Sequence, residues 1–214
     1  MRAAALVAFC RTLTVTLTVA LFAPLPALAA PSAADLADIA RVEEYLNSVT
    51  SLKAKFLQVG PDGALSEGQV WLRRPGRLRF EYSAPTPVLV VADGLFLVFA
   101  DTELGQVDRI PLASTPIAVL VDEPVRLSGA VIVSAVERDL GLLRVTLHDK
   151  ARPREGRITL VFADGPLELR QWQVIDARDQ ITSVSLSEVE TNLALESGLF
   201  VVADPAPGDA RRRR

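Results

Sequence analysis

The alternation of apolar and polar residues changes period near Ser51. Before it, Leu36, Ile39, Val42, Leu46 and Val49 recur at spacings of three and four, the single apolar face of an amphipathic helix. Asp35, Asp38, Glu43 and Glu44 fall on the other side. Ser32 is placed to cap this helix from Ala33, and Asp35 suits its positive N-terminal end. After Ser51 the period is two. Leu52, Ala54 and Phe56 alternate with Lys53 and Lys55, and Gly60-Pro61-Asp62-Gly63 is a turn. A strand opens at Val70-Trp71-Leu72 and is interrupted by Arg73-Arg74-Pro75-Gly76, with Pro75 breaking the ladder at an edge or bulge. In the next strand Leu78, Phe80 and Tyr82 share one face, and Arg77, Arg79 and Glu81 the other. Pro85 and Pro87 end it.

Residues 89–91 and 95–99 flank Ala92-Asp93-Gly94 as a hairpin, and 106–110 is a short strand. Thr115 is a plausible N-cap and Pro116 a good first residue for a short helix with Ile117, Leu120 and Val121 as its apolar stripe. Strands then recur near 130–136, 142–147, 157–162, 167–175, 181–186 and 200–202. This spacing is that of a meandering antiparallel sheet, and no strand alternates with a long helix as a parallel α/β sheet would require. The predicted class is mainly β (α+β): an incomplete antiparallel barrel, or curled sheet, closed by a few short helices. Two helical segments fill a curled sheet poorly, which suggests an apolar cavity under a helical lid, although a packed core would give the same alternation.

Composition adjusts this picture at the two ends. Arg2 and Arg11, an apolar run over 12–25 and Ala27-Leu28-Ala29 form a secretory signal peptide, 1–29, cleaved after Ala29. The run is shorter than the ~20 residues of a spanning helix, and Pro24 and Pro26 break it. Cys10, the sole cysteine, lies inside this segment, so the mature chain has no thiol chemistry and no lipidation site behind the apolar run. Residues 30–204 suffice for one domain, and 205–214 reads as a polar, basic, disordered tail. Without Arg2 and Arg11, 21 basic residues face 26 acidic ones, a net charge of −5, which argues against a nucleic-acid partner.

Candidate chemistry is sparse. His148 is the only histidine, too few for a zinc site. No G-x-S-x-G elbow or phosphate loop is present. Glu43 and Glu44 are adjacent on a helix and diverge by about 100°. No metal or cofactor is expected, and the chain is not expected to be an enzyme, though paired carboxylates across strands stay open. The Arg211 to Arg214 run suits either solvent or an anionic surface.

The segment 67–82, Glu-Gly-Gln-Val-Trp-Leu-Arg-Arg-Pro-Gly-Arg-Leu-Arg-Phe-Glu-Tyr, resembles the signature of the outer-membrane lipoprotein carrier family, the LolA-like periplasmic chaperones. Phe56-Leu57-Gln58, Ala92-Asp93-Gly94, Thr115-Pro116-Ile117, the 176–180 turn with Asp179 where glycine is usual, and Phe200 with Pro205 follow in the family's order. The resemblance implies a monomeric periplasmic carrier that takes triacylated lipoproteins from an inner-membrane ABC transporter and delivers them to an outer-membrane acceptor. The acyl cavity would be lined by Leu78, Phe80 and Tyr82, with Phe56, Leu89 and Val91, and less securely Trp71. Arg74 matches the family arginine that bonds lid-helix carbonyls in the closed, empty state. Pro116, Ile117 and Leu120 would belong to that lid. Another LolA-like role in lipid or glycolipid binding or lipoprotein sensing, a hydrolase with unseen carboxylates, or a module presenting a sheet edge to partner strands are the alternatives.

Overall fold

The computed structural model describes residues 31–202, and the expected signal peptide, 1–29, and expected tail, 205–214, lie outside the described residues. Eleven antiparallel strands form one sheet that is not closed. Strands β1 (Ser51–Val59), β2 (Leu65–Arg73), β3 (Arg77–Tyr82), β4 (Val88–Asp93), β5 (Phe96–Asp101) and β6 (Gln106–Pro111) make one meander. Strands β7 (Val131–Asp139), β8 (Leu142–Asp149), β9 (Gly156–Asp164), β10 (Leu167–Asp176) and β11 (Ile181–Thr191) make a second. The two join where β1 pairs with β11, leaving β6 and β7, consecutive in sequence, as the two edges.

The sheet curls. Phe80 on β3 and Trp172 on β10 lie four strand spacings apart, roughly 19 Å across a flat sheet, yet their ring centroids are 6.0 Å apart. Register shifts in β11 at 187–190 (opposite 53–55 of β1), in β10 at 169–171 and in β7 at 133–135 are the local cause, because a bulge bends its strand and increases its twist. Side-chain turns set the hairpins. The Asp93 carboxylate accepts from the N–H groups of Leu95 and Phe96 at 2.9 and 2.8 Å, and Gly94 takes φ 103°. In the 176–180 turn Asp176 accepts from Arg178 and Gln180, and Asp179 adopts the left-handed conformation (φ 59°) that makes glycine the usual choice there. Pro75 sits in the turn joining β2 to β3, where Arg73 pairs with Arg77, and not in a ladder.

Helix α1 (Ala33–Ser48) begins with a capping box: Ser32 Oγ accepts from the Asp35 N–H at 3.1 Å, and Asp35 accepts from the Ser32 N–H at 2.9 Å. Its buried stripe is Asp38, Val42 and Leu46. Leu36, expected on that stripe, lies about 120° round the helix from Val42 and is exposed. Asp38, expected in solvent, is buried because Arg138 of β7 and Arg41 donate to its carboxylate at 2.5 and 2.7 Å. Arg41 also reaches Asp164 at 2.6 Å. Apolar packing under the helix centres on Tyr45, whose ring meets Phe162 edge-on at 5.8 Å.

Between the edge strands the chain makes a 3-10 turn (Leu112–Ser114) and the short helix α2 (Ala118–Val121). The expected N-cap role of Thr115 is not what the structure shows. Its hydroxyl donates back to the Leu112 carbonyl at 2.7 Å, the same oxygen that accepts the Thr115 N–H at 2.9 Å, and Pro116 precedes the helix. The segment after α2 hangs from α1. Asn47 donates to the Val125 carbonyl and accepts from the Val125 N–H, both at 2.9 Å, and Glu43 accepts from Leu127 N–H at 2.8 Å. Val125 is fully buried, so its backbone groups have no water to turn to. Asn47→Ala is expected to cost about 2 kcal/mol, a fall in melting temperature of roughly 4–8 °C by calorimetry. Asn47→Asp keeps the acceptor but turns a carboxylate oxygen onto the Val125 and Glu43 carbonyls at the end of α1, and should lose at least as much.

The expected strand at 200–202 is also absent. Phe200 closes a 3-10 turn (Ser197–Phe200) that packs on the outer face of β3 and β4. It is drawn there by the arginines of that face. Arg73 stacks over the Phe200 ring at 5.0 Å and donates to the Leu195 carbonyl, and Arg79 donates to the Leu199 carbonyl.

Candidate functional site

On the concave face β3 presents Leu78, Phe80 and Tyr82 together, as alternation requires. Phe56 of β1 meets the rings of Phe80 and Tyr82 edge-on, each at 5.0 Å. Phe80 and Tyr82 form an aromatic floor with Trp172, and Phe56 backs them without itself lining the cleft. Above it opens a cleft of about 210 Å³ lined by Leu78, Phe80, Tyr82, Val90, Leu97, Phe99, Trp172, Val174 and Val184. Ile117, at the start of α2, covers it from the lid side, and Gln58, Thr115 and Thr182 are its polar lining. Gln58 accepts from the Tyr82 hydroxyl at 2.8 Å, and burial raises the pKa of that hydroxyl. The phenol is therefore a neutral, satisfied group beside the apolar floor.

Leu89 and Val91 do not line this cleft. In β4 the concave residues are Val88, Val90 and Ala92, which pack with the main core. Val91 is fully buried on the opposite face, where the 197–200 turn lies over β3 and β4. Trp71 likewise sits out of step with the core residues Val70 and Leu72. Val90, Leu97, Phe99, Trp172, Val174 and Val184 are the lining residues that sequence reasoning missed. Cross-strand pairing ties several of them together: Val90 pairs with Phe80 and Phe99, and Trp172 with Val184.

The turn between β2 and β3 touches the ends of both helices. The Arg74 guanidinium donates to the Val49 carbonyl, the C-cap of α1, where the helix dipole favours a cation. The α2 end is held instead by a backbone bond, Gly76 N–H to the Val121 carbonyl at 2.7 Å. The expected bond from Arg74 to a carbonyl of the short helix is thus replaced by one to the long helix. Burial lowers the Arg74 pKa to about 10, partly offset by Glu123, Tyr45 and Asp122 nearby, and its Nε is buried without a partner. Leu120 is buried, whereas Ile117 is only partly so.

A second cleft, of about 230 Å³, lies on the other side of the same lid segment, between α2 and β7–β9. Pro116, Ala118 and Val119 form its lid side, Leu147 and Ile158 its floor, and His148 and Asp149 part of its rim. Among the described residues no three His, Cys, Asp or Glu side chains converge on a possible metal position, and no helix is long and apolar enough to cross a membrane.

An open, curled antiparallel sheet with an apolar concave floor and a short helical segment across it is the architecture of a binding protein. The chain belongs to the LolA family, outer membrane lipoprotein carrier protein, whose profile matches residues 47–203. It is similar to the outer-membrane lipoprotein carrier protein of Dechloromonas aromatica, 31% identical over 88% of this chain and 91% of that one. The corresponding protein of Alkalilimnicola ehrlichii is 32% identical over 84% and 85%. A solved LolA superfamily protein from Nitrosomonas europaea aligns at 11% identity over 77% of this chain and 97% of its own, with a TM-score of 0.43.

Proposed function

We propose that this protein is a periplasmic carrier that holds the acyl chains of lipoproteins against its concave face and moves them from the inner to the outer membrane. It would take cargo from a transporter complex in the one and give it to an acceptor in the other. The observation that carries the proposal is the apolar cleft whose floor is Leu78, Phe80 and Trp172 and whose cover is Ile117. Each buried methylene is worth ~0.8 kcal/mol, so exposing a chain of about fifteen methylenes in water costs on the order of 12 kcal/mol. The transfer role needs shelter of that size and no bond-making chemistry.

The closed cleft, about 210 Å³, is only modestly larger than the ~150 Å³ cavity that accepts benzene. Loading a triacylated cargo therefore requires α2 to move. The attachments of this segment suit such motion: α2 is four residues long, while the chain beyond it stays tied to α1 through Asn47 and Glu43.

Native mass spectrometry of the protein purified from its own periplasm, with extraction of bound lipid, tests the reading. A co-purifying triacylated protein supports it. Phospholipid alone points to another lipid-binding role, and failure to bind any added acyl ligand sinks it. Ile117→Asp is expected to weaken palmitate binding by at least about tenfold, roughly 1.4 kcal/mol, because a carboxylate would have to be desolvated beside the chain. Circular dichroism should show the fold intact, since Ile117 is only partly buried.

A further inference from the structure

The cleft on the far side of α2 has no part in the site described so far. We infer that it is a second acyl-chain subsite, so that the lid segment separates two chains instead of covering one; this rests on the carrier reading above. Thr115 lines both clefts, so they abut through a wall one segment thick. Along that wall Ile117 faces the first cleft, and Ala118 and Val119 face the second. The floor of the second is a cross-strand pair, Leu147 and Ile158, both almost fully buried. Pro116, Ala118 and Val119 stand over this floor, and the small side chain of Ala118 leaves room between them.

The rim chemistry agrees with an uncharged chain. The Asp149 carboxylate is already occupied, accepting from Arg152 at 3.0 Å and from the N–H groups of Ala151 and Arg152 at 2.7 and 3.0 Å. Arg152 also donates to the Ala113 carbonyl at 2.7 Å, tying the start of the lid segment to the β8–β9 loop. Asp149 and Arg152 thus neutralise each other at this rim, and the remaining carboxylate of the lining, Asp122, is pushed towards its neutral form by burial, an effect the Arg74 charge partly offsets. The two clefts have similar volumes, about 210 and 230 Å³, and displacement of one four-residue helix would join them.

The test uses palmitate with a terminal diazirine for crosslinking and brominated palmitate for quenching Trp172, in a Trp71→Phe background. Peptide mapping is expected to find adducts on β8 and β9 around Leu147 and Ile158 as well as near Phe99 and Val174. Ala130→Phe, at the exposed mouth of the second cleft, should reduce the β8–β9 adducts about fivefold or more, the loss of roughly 1 kcal/mol of affinity, and leave Trp172 quenching unchanged. Ala118→Leu fills the same space from the lid and should do likewise. Adducts confined to the first cleft, or β8–β9 adducts that survive both fills, overturn the second subsite while Trp172 quenching still supports the carrier. Loss of quenching and of all adducts in the unfilled protein overturns both.

Discussion

Arg74→Leu is expected to load acyl cargo, release it to an acceptor about tenfold more slowly or worse, and melt roughly 2–4 °C higher when empty. The two effects share one cause. The guanidinium is half-buried, one of its nitrogens has no partner, and burial lowers its pKa to about 10. Holding that cation in the fold costs free energy that leucine would not, and replacing buried ionic groups as a set by apolar residues is often neutral or stabilising, by about 1–4 kcal/mol; for this one, incompletely paired cation a gain of about 2 kcal/mol is expected. The lost bond to Val49 offsets about 1 kcal/mol, leaving a net gain near 1 kcal/mol, or ~2–4 °C for a chain of this size.

The sign of the pH dependence follows. A base whose folded pKa lies below its ordinary value is penalised wherever it is protonated in both states. The penalty is therefore complete below about pH 10, and it lessens only as pH rises from there towards the ordinary arginine value. The stabilisation by Arg74→Leu should be constant between pH 6 and 9 by calorimetry. In the proposed transfer cycle the bond from Arg74 to the end of α1 would belong to the closed, empty form. If loading breaks it, re-forming it helps expel cargo, and a tenfold slowing corresponds to about 1.4 kcal/mol of lost bias. Transfer at the wild-type rate would remove Arg74 from the release step. A lowered melting temperature would show that its bond to Val49 outweighs its desolvation.

Gly68→Ala is expected to destabilise the protein by about 3 kcal/mol or more, lowering the melting temperature by roughly 6–12 °C. A β-carbon at Gly68 would stand 2.0 Å from the Glu81 carbonyl oxygen and 2.9 Å from the Phe56 ring. Glu81 belongs to β3 and is held on both sides, by Gln69 of β2 and Leu89 of β4, so it cannot retreat without breaking the ladder. Phe56 is held in turn by Phe80 and Tyr82. The glycine is required for close approach, and the aromatic floor of the cleft rests on that approach. Acyl binding should weaken with the fold. A variant that melts within 2 °C of the parent would show that β2 and β3 can separate locally.

Much of this architecture was legible in local pattern. Period-two alternation marked β1 and β3. The capping of α1 by Ser32 and the placement of Leu78, Phe80 and Tyr82 on one face needed only neighbours in sequence. The family motif across 67–82 could be read because it lies in one hairpin, and the turn arginine it contains does meet a helix end, though not the one expected.

The facing of β4 was a different matter. Val88 to Ala92 is apolar at every position, so alternation could not say which residues look inward. That choice came from the C-terminal turn, whose Phe200 packs on the outer face, and no periodicity in β4 reports what arrives from residues 197–200. Asp38 was misplaced for the same reason, since its partner Arg138 lies on a distant strand. Local pattern was enough for most strands, for the cap of α1 and for the family, but not for the cap of α2 or for the 3-10 turn at Ser197–Phe200. The tertiary structure decided which side of each doubly apolar strand is covered, which helix end Arg74 holds, and that the lid divides two clefts. Those outcomes depend on burial by segments remote in the chain, and a local pattern carries no record of them.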